Sequence, residues 1–173
     1  MDKYRPTKYQ KSIMDVDYNK LYKEGIRVLL FDVDNTLVAY YHENPENKVI
    51  TLIKNLKKKF KILLVSNSIN YKKIKRIAAT FGVDYMFFAI KPFLFRVRNK
   101  MREFSKEETA IIGDQIMTDV LFGNKLGIQT ILIDKLSNRE TNVTSINRFF
   151  EKNILVKLEK EKMFKLGEYY EWY

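Results

Sequence analysis

The chain has 173 residues, no cysteine, 46% hydrophobic residues and a formal net charge of +11. The length suits one domain with a real hydrophobic core, and the composition is too apolar for a disordered chain. The lack of cysteine excludes a disulfide scaffold, a thiolate metal site and a cysteine nucleophile. No apolar run approaches the roughly 18 residues of a membrane-spanning helix, and the N-terminus is too polar for a signal peptide, so we expect a cytoplasmic protein.

The excess positive charge lies in the middle of the chain. Residues 54–76 carry nine lysine and arginine residues and no acidic residue, whereas residues 28–53 and 107–146 each carry three more acidic than basic residues. A basic terminal tail is therefore excluded. The excess predicts an anionic partner, which leaves a nucleic acid, an anionic membrane surface or a phosphorylated substrate.

Hydrophobic periodicity predicts strands that alternate with helices. Continuous apolar runs predict five buried strands, at 28–31, 62–65, 85–89, 110–112 and 130–133. Apolar residues at intervals of three and four predict helices between them, over 48–60, 71–81, 93–104 and 116–126. This alternation is typical of an α/β fold with a mainly parallel sheet and helices on both faces.

The same pattern divides the chain into three parts. Residues 27–136 hold the five predicted strands and form the predicted core domain. Residues 1–26 are expected to form an N-terminal arm, and residues 137–173 a mostly helical C-terminal extension packed on or near the core. In such sheets the ligand site lies beyond the carboxyl ends of the strands, so chemistry is expected just after each strand.

Two carboxylates follow the first predicted strand. Asp32 and Asp34 are two positions apart, so in an extended chain they point the same way and can face one ligand. Adjacent carboxylates repel unless a cation or a proton separates them, which indicates a divalent metal or divided acid and base duties. An ordinary polar turn that closes the strand remains the alternative.

Polar residues also follow the second and third strands. The Ser66 hydroxyl and the backbone amides after it, including Asn67, could hold a phosphate oxygen, although helix capping by Ser68 or Asn70 is the favoured explanation of this stretch taken alone. Lys91 precedes a proline and could supply a positive charge to a phosphate, although the chain has many lysines.

The fourth strand ends at a further pair of carboxylates. Asp114 leaves the strand, and Asp119 begins the next helix, where it could also be a cap. The four motifs fall at the carboxyl ends of successive strands. Separate structural explanations for each motif would not account for this shared placement. The sequence therefore predicts an enzyme.

The motifs DxDxT, a strand-ending Ser-Asn, Lys-Pro and GDxxxTD, in this order over residues 27–135, resemble the haloacid dehalogenase (HAD) superfamily of phosphatases. The strings LLFDVDNTLV, AIKP and GDQIMTDVLFGNKLGIQTILI resemble its small subclass IIIA members of the YqeG type, whose relatives include mitochondrial phosphatidylglycerophosphate phosphatases. The resemblance implies a HAD-like Rossmannoid three-layer sandwich and a phosphomonoester hydrolase.

The resemblance also implies catalytic roles. Asp32 would be the nucleophile that forms an aspartyl-phosphate, and Asp34 would protonate the leaving alcohol and then activate the water. Thr36 would support the nucleophile loop. Mg²⁺ would be held by the carboxylates of Asp32 and Asp114 and by the backbone carbonyl of Asp34.

Substrate contacts follow from the same resemblance. Ser66, Asn67 and Lys91 would bind the phosphoryl oxygens, and Asp119 would orient Lys91 or a metal-bound water. Only 29 residues separate Thr36 from Ser66, which leaves no room for a large cap domain. An open site favours a phosphate on something large, such as a lipid, because small esters need better enclosure.

Basic and aromatic residues outside these motifs are candidates for membrane contact. A basic rim is predicted from three groups of residues: Lys57, Lys58, Lys59 and Lys61; Lys72, Lys73, Lys75 and Arg76; Arg96, Arg98, Lys100 and Arg102. The rim could attract anionic lipid or could be solvated helix faces. Aromatic residues in both arms suit a membrane interface, a core or a dimer contact: Tyr4, Tyr9, Tyr18, Tyr22, Phe149, Phe150, Phe164, Tyr169, Tyr170, Trp172 and Tyr173.

The sequence therefore predicts a Mg²⁺-dependent phosphatase that converts phosphatidylglycerophosphate to phosphatidylglycerol at the inner face of a membrane, as a cytoplasmic or peripheral protein. A phosphatase for soluble monoesters or phosphoproteins is the second hypothesis. A basic nucleic-acid-binding protein is least favoured, because residues 54–76 offer only Phe60 and Tyr71 for base stacking.

His42, the single histidine, is expected at the surface. The oligomeric state is not predicted.

Overall fold

The computed structural model describes residues 1–137 and 142–171, with side chains for all of these except 142–150. Its sheet has the strand order β4-β3-β2-β5-β6-β1-β7. Every pairing is parallel except that of β7 with β1. The strands are β1 Lys8–Gln10, β2 Val28–Phe31, β3 Lys61–Val65, β4 Asp84–Met86, β5 Thr109–Gly113, β6 Gln129–Ile133 and β7 Tyr170–Glu171.

Helices cover both faces of the sheet. Leu29 and Phe31 of β2 pack in one core cluster with residues of α1, α2 and α3, and the alternate residues Val28 and Leu30 pack in a second cluster with Phe122 of α5. The expected three-layer α/β fold is therefore confirmed. The helices are α1 Tyr18–Lys23, α2 Asn47–Leu56, α3 Tyr71–Phe81, α4 Arg98–Met101, α5 Leu121–Leu126 and α6 Asn142–Lys160, with a 3₁₀ turn at Asp2–Tyr4 and a π-helical turn at Ile116–Val120.

The sheet has seven strands rather than the expected five, because segments near both ends of the chain add β1 and β7 at one edge. The Lys-Tyr-Gln sequence of β1 lacks the apolar run that predicts a buried strand. Its polar groups find partners instead: the Lys8 ammonium donates to Glu24 at 2.8 Å, and the Tyr9 hydroxyl donates to Asp134. These contacts allow a polar segment to pair with β6 inside the fold.

The expected helix over 93–104 is wrong for most of its length, because only Arg98–Met101 is α-helical. Val97 is fully buried and Leu94 packs beside it, whereas Phe93 and Phe95 remain exposed. Met101 and Phe104 pack against the same core cluster, so this segment contributes apolar residues to the core although most of it is not helical. A row of three neighbouring apolar residues, 93–95, does not form one helical face.

Tyr9 of the N-terminal arm packs against aromatic residues of the C-terminal extension, whereas Tyr18 packs against the main core cluster. Tyr9 lies 5.1 Å from Phe164 between ring centroids, and Phe164 lies 6.1 Å from Tyr170. Tyr9 and Phe164 are buried in a cluster with Leu158 of α6, so core packing accounts for them. Phe149, Phe150, Trp172 and Tyr173 lie outside the described side chains. Within the described part of the chain, no helix is both long and apolar enough to cross a bilayer.

Candidate active site

Parallel pairing brings the carboxyl ends of β2, β3 and β5 to one edge of the sheet. Phe31 is in register with Leu64 of β3 and with Ile112 of β5, so the residues that follow these strands are neighbours. Asp32, Ser66 and Asp114 occupy those positions and are all buried. The edge predicted from the sequence therefore does bring the candidate residues together.

Lys91 lies between two carboxylates at this edge. Its Nζ atom donates to Asp32 Oδ1 at 2.7 Å and to Asp119 Oδ1 at 2.5 Å, and all three side chains are almost fully buried. Burial disfavours the ammonium, but Asp119 and Asp32 outweigh it and raise the pKa of Lys91 above its ordinary value. Lys91 is therefore a fixed positive charge.

The environment of Asp32 makes it easier to protonate than an ordinary aspartate. Burial raises the pKa of Asp32 to about 7, with Lys91 opposing the shift and Asp119 adding to it. An added positive charge would lower the pKa of this carboxyl group, because a cation favours the carboxylate over the acid. The nucleophile predicted from the sequence is therefore sensitive to what binds beside it.

Asn67 holds Lys91 in place. Its Nδ2 atom donates to the Lys91 carbonyl at 3.0 Å, and its Oδ1 atom accepts from the Lys91 backbone N–H at 2.7 Å. Both ends of the amide are thus engaged by the backbone of Lys91. These contacts assign Asn67 a positioning role, and direct phosphate binding by Asn67 stays a prediction.

Three buried carboxylates meet beside Lys91. One oxygen each from Asp32, Asp114 and Asp119 lies within 4.8 Å of the others. With Lys91 these residues form the carboxylate–lysine cluster. Hard oxygen donors at this spacing suit Mg²⁺, and three carboxylates beside one ammonium favour a further cation. The donor set therefore fits the expected metal, with Asp119 added near the expected ligands Asp32 and Asp114.

Glycine is required where Asp119 approaches the strand. A Cβ atom at Gly113 would lie 2.3 Å from the Asp119 carboxyl carbon. The π-helical turn Ile116–Val120 carries Asp119 back toward β5, and its Oδ2 atom accepts from the Gln115 N–H at 3.1 Å. The spacing in GDxxxTD thus places the second aspartate against the glycine that precedes the first.

Asp34 has a partner that the sequence reasoning missed. Lys73 of α3 donates from Nζ to Asp34 Oδ1 at 2.6 Å and to the Tyr40 carbonyl at 3.2 Å, and its side chain is buried. Lys73 is therefore not part of an exposed basic rim. Its place on the apolar face of α3, four residues before Ile77 and eight before Phe81, is a signal that could have identified it.

Ser66 and Thr36 are buried in the segments that follow β3 and β2. The Ser66 Oγ atom accepts from the Ser68 N–H at 3.0 Å, which leaves the hydroxyl proton to donate elsewhere. Thr36 is fully buried in the turn after β2, and its hydroxyl has no hydrogen-bond partner among the described residues. In that turn Asn35 has a positive φ of 63°, and its Oδ1 atom accepts from the Tyr40 N–H at 3.1 Å. His42 is exposed, as expected.

The expected basic rim does not form one surface around the site. Lys61 begins β3 and Ser66 follows its end, so the group 57–61 lies at the opposite edge of the sheet. There Lys57 donates to the carbonyls of Phe81 and Gly82, at 2.8 and 2.6 Å, and closes the end of α3. The basic residues on the site's own side are those in the first turns of α3 and Arg96, whereas Lys100 lies near Asp84 at the start of β4.

The mainly parallel α/β sandwich places Asp32, Ser66, Lys91 and Asp114 at one edge, as expected for a HAD-type phosphatase, a phosphoric monoester hydrolase. Residues 5–137 match the model of the mitochondrial PGP phosphatase family. The chain belongs to that family.

Similar proteins agree with this assignment. The probable phosphatase YqeG of Bacillus subtilis is 32% identical over 163 residues, which cover 91% of this chain and 93% of that protein. A chloroplastic/mitochondrial phosphatidylglycerophosphate phosphatase 1 of Arabidopsis thaliana is 27% identical, over 75% of this chain and 40% of that protein. A HAD family enzyme of Bacteroides thetaiotaomicron, solved as a magnesium complex, has the same fold with a TM-score of 0.53 at 13% identity, over 66% of this chain and 96% of that one.

Proposed function

We propose that this phosphatase hydrolyses phosphatidylglycerophosphate to phosphatidylglycerol through an aspartyl-phosphate on Asp32, with Mg²⁺ as cofactor. The observation that carries the proposal is the Lys91 ammonium held 2.7 Å from Asp32 and 2.5 Å from Asp119 within a buried carboxylate group. A fixed cation beside a buried nucleophile is suited to a phosphate ester, whose negative charge would otherwise be repelled.

In the first half of the reaction, an Asp32 carboxylate oxygen attacks phosphorus, and the bond from phosphorus to the lipid oxygen breaks. Lys91 Nζ and the Ser66 hydroxyl donate hydrogen bonds to phosphoryl oxygens and offset the charge on them. Asp34 gives its proton to the leaving alcohol oxygen. The products of this half are phosphatidylglycerol and an aspartyl-phosphate.

In the second half, the Asp34 carboxylate takes a proton from a water molecule, whose oxygen attacks phosphorus. The bond between phosphorus and Asp32 breaks, which restores the carboxylate and releases inorganic phosphate. Lys73, 2.6 Å from Asp34 Oδ1, orients the Asp34 carboxyl group through both halves. Thr36 and Asp119 act indirectly, by supporting the loop after β2 and by fixing Lys91.

The proposed metal ligands are Asp32 and Asp114, with the Asp34 carbonyl, and Asp119 lies close enough to contribute. When bound, Mg²⁺ would neutralise these carboxylates and withdraw charge from a phosphoryl oxygen. The chain's own residues would then orient the ester and move the protons.

The lipid substrate is supported by the family and by the open edge. Between β2 and β3 the chain forms a loop and α2, and between β3 and β4 it forms α3, so a large headgroup has access to Asp32. A lipid phosphate is presented at a membrane surface, so we propose peripheral association with an anionic membrane, on its cytoplasmic face.

Phosphate release measured by a malachite-green assay tests the substrate. Phosphatidylglycerophosphate in mixed micelles is compared with a panel of soluble monoesters and a phosphoprotein, each with and without Mg²⁺. We expect the highest kcat/KM for the lipid and no release after chelation. Equal or faster release from the soluble esters would contradict the lipid assignment and favour the second hypothesis.

A further inference from the structure

The loops that begin at Ser66 and follow β4 expose large apolar side chains beside the site. Ile69 is 80% exposed, Phe95 67% and Phe93 57%. We call the exposed apolar set the loop face, which consists of Ile69, Tyr71, Phe87, Phe88, Phe93 and Phe95. Exposed apolar side chains grouped in this way, rather than scattered singly, indicate an interaction surface.

Backbone contacts hold the two loops together as one surface. The Phe88 N–H donates to the Ser68 carbonyl at 3.0 Å, and the Ala89 N–H donates to the Ser66 carbonyl at 2.9 Å. The Tyr71 and Phe87 rings lie 5.1 Å apart across the loops. The loop face is therefore built on the same two segments that hold Ser66 and Lys91.

Cations border these rings. The Arg96 guanidinium lies 5.0 Å from the Phe88 ring centroid, Lys125 Nζ lies 5.6 Å from that of Phe93, and Lys75 Nζ lies 5.7 Å from that of Tyr71. Residues 66–76 and 87–98 carry seven basic residues and no acidic residue. Lys73 and Lys91 are buried in the site and Arg76 pairs with Glu43, so the exposed cations that remain in these segments are Lys72, Lys75, Arg96 and Arg98.

The loop face combines apolar rings with cations, and its segments contain no acidic residues. This combination suits a partner with an apolar interior and an anionic surface. We propose that the loop face docks on an anionic lipid bilayer, with its rings in the interface and its cations at the headgroups. The inference rests on the proposed function, because docking there brings Ser66 and Lys91 to the level of a headgroup phosphate.

Vesicle co-sedimentation tests the docking surface. Wild type is expected to bind phosphatidylcholine vesicles containing phosphatidylglycerol, and to bind less at high salt or to phosphatidylcholine alone. The double variant Phe93→Ser, Phe95→Ser should bind the anionic vesicles at least about tenfold more weakly, because two rings no longer leave water. The control Val156→Ser, Leu166→Ser removes two comparably exposed apolar side chains elsewhere and should bind as wild type.

Activity in the same preparations separates this inference from the proposed function. Folding of each variant is checked by circular dichroism, and turnover of p-nitrophenyl phosphate is measured beside turnover of the lipid in vesicles. We expect the ratio of lipid to soluble turnover to fall about tenfold in the loop-face variant, in proportion to lost binding. If the protein binds vesicles but does not hydrolyse the lipid, the proposed substrate is wrong and the proposed docking surface still holds. Wild-type failure to bind anionic vesicles, or unchanged binding by the loop-face variant, would overturn the docking surface; an oligonucleotide bound in place of vesicles would do so too.

Discussion

Two regions share the edge of the sheet where β2, β3 and β5 end, and they hold their charges differently. In the carboxylate–lysine cluster, Lys91 is buried and forms ion pairs of 2.7 and 2.5 Å with Asp32 and Asp119. On the loop face, Arg96, Lys75 and Lys125 are exposed and lie over aromatic rings. A buried charge is held in one fixed position, which suits the making and breaking of bonds. An exposed charge is screened by salt, and it suits attraction to an extended charged surface.

The two regions are joined by the chain itself. Ser66 and Lys91 lie at the buried parts of loops whose exposed parts form the loop face. The contrast between the regions predicts separable effects. Substitutions in the cluster should lower turnover of every phosphate ester, whereas substitutions on the loop face should lower turnover of lipid in vesicles alone.

The largest effect is expected for Asp32→Asn. The amide is a poor nucleophile, so turnover of lipid and soluble esters should fall by on the order of 10³-fold or more. Phosphate release from both substrates measures this loss, and circular dichroism should show an intact fold. Asp84→Asn alters an exposed aspartate at the start of β4 and is the matched control. Near-normal hydrolysis by the Asp32 variant would rule out the covalent mechanism.

Lys91→Met should lower turnover of both substrates by about 10²- to 10³-fold, because a preorganised cation at the phosphoryl group is lost. It should also cost stability, because Asp32 and Asp119 lose the ammonium that lies between them. Removing one partner of a buried ion pair costs about 3–5 kcal/mol. Urea unfolding in the absence of metal measures that cost. A variant with wild-type turnover would show that Lys91 is structural.

Lys73→Met should lower kcat about tenfold on both substrates with little change in KM, because Asp34 loses the contact that orients it. Lys72→Met changes the exposed neighbour on the same helix and should leave turnover of the soluble ester unchanged. Lys73→Arg should restore part of kcat, since the guanidinium can also reach a carboxylate. Equal effects of the Lys72 and Lys73 variants would remove the positioning role.

A prediction of another kind concerns pH and stability in the metal-free protein. Folding raises the pKa of Asp32 from 3.8 to about 7. Between these values the folded state holds a proton that the unfolded state has lost, so this contribution to the free energy of unfolding falls as pH rises. The stability of wild type relative to Asp32→Asn should therefore decrease from about pH 5 to about pH 7.5. Urea unfolding in EDTA measures the difference, and a relative increase would contradict the assignment.

The buried region was the more predictable of the two. Continuous apolar runs mark β2, β3, β5 and β6 because these strands are covered on both faces, and parallel pairing then fixes which residues share an edge. Asp32, Ser66 and Asp114 follow directly from that rule, whereas Lys91 lies five residues beyond the end of β4, and Asp119 is placed by the π-helical turn. A short motif is enough to identify such a residue, because the paired strands fix where the residue lies.

The remaining features depend on tertiary contacts that no local pattern reports. Lys73 belongs to a run of basic residues, and only the position of Asp34 across the fold makes it a buried partner. The polar strand β1 forms because Glu24 and Asp134 supply partners for Lys8 and Tyr9. Phe93 and Phe95 resemble part of a helix in sequence, yet they remain outside the core.

The most direct test of the central claim is to find the phosphoryl group on Asp32 during turnover. Wild-type protein is mixed with Mg²⁺ and phosphatidylglycerophosphate labelled in its terminal phosphate, quenched in acid within the first turnover, and digested for mass spectrometry. We predict a base-labile label on the peptide that contains Asp32, and none in the Asp32→Asn variant. Release of labelled phosphate without label on Asp32, or label on another residue, would contradict the account.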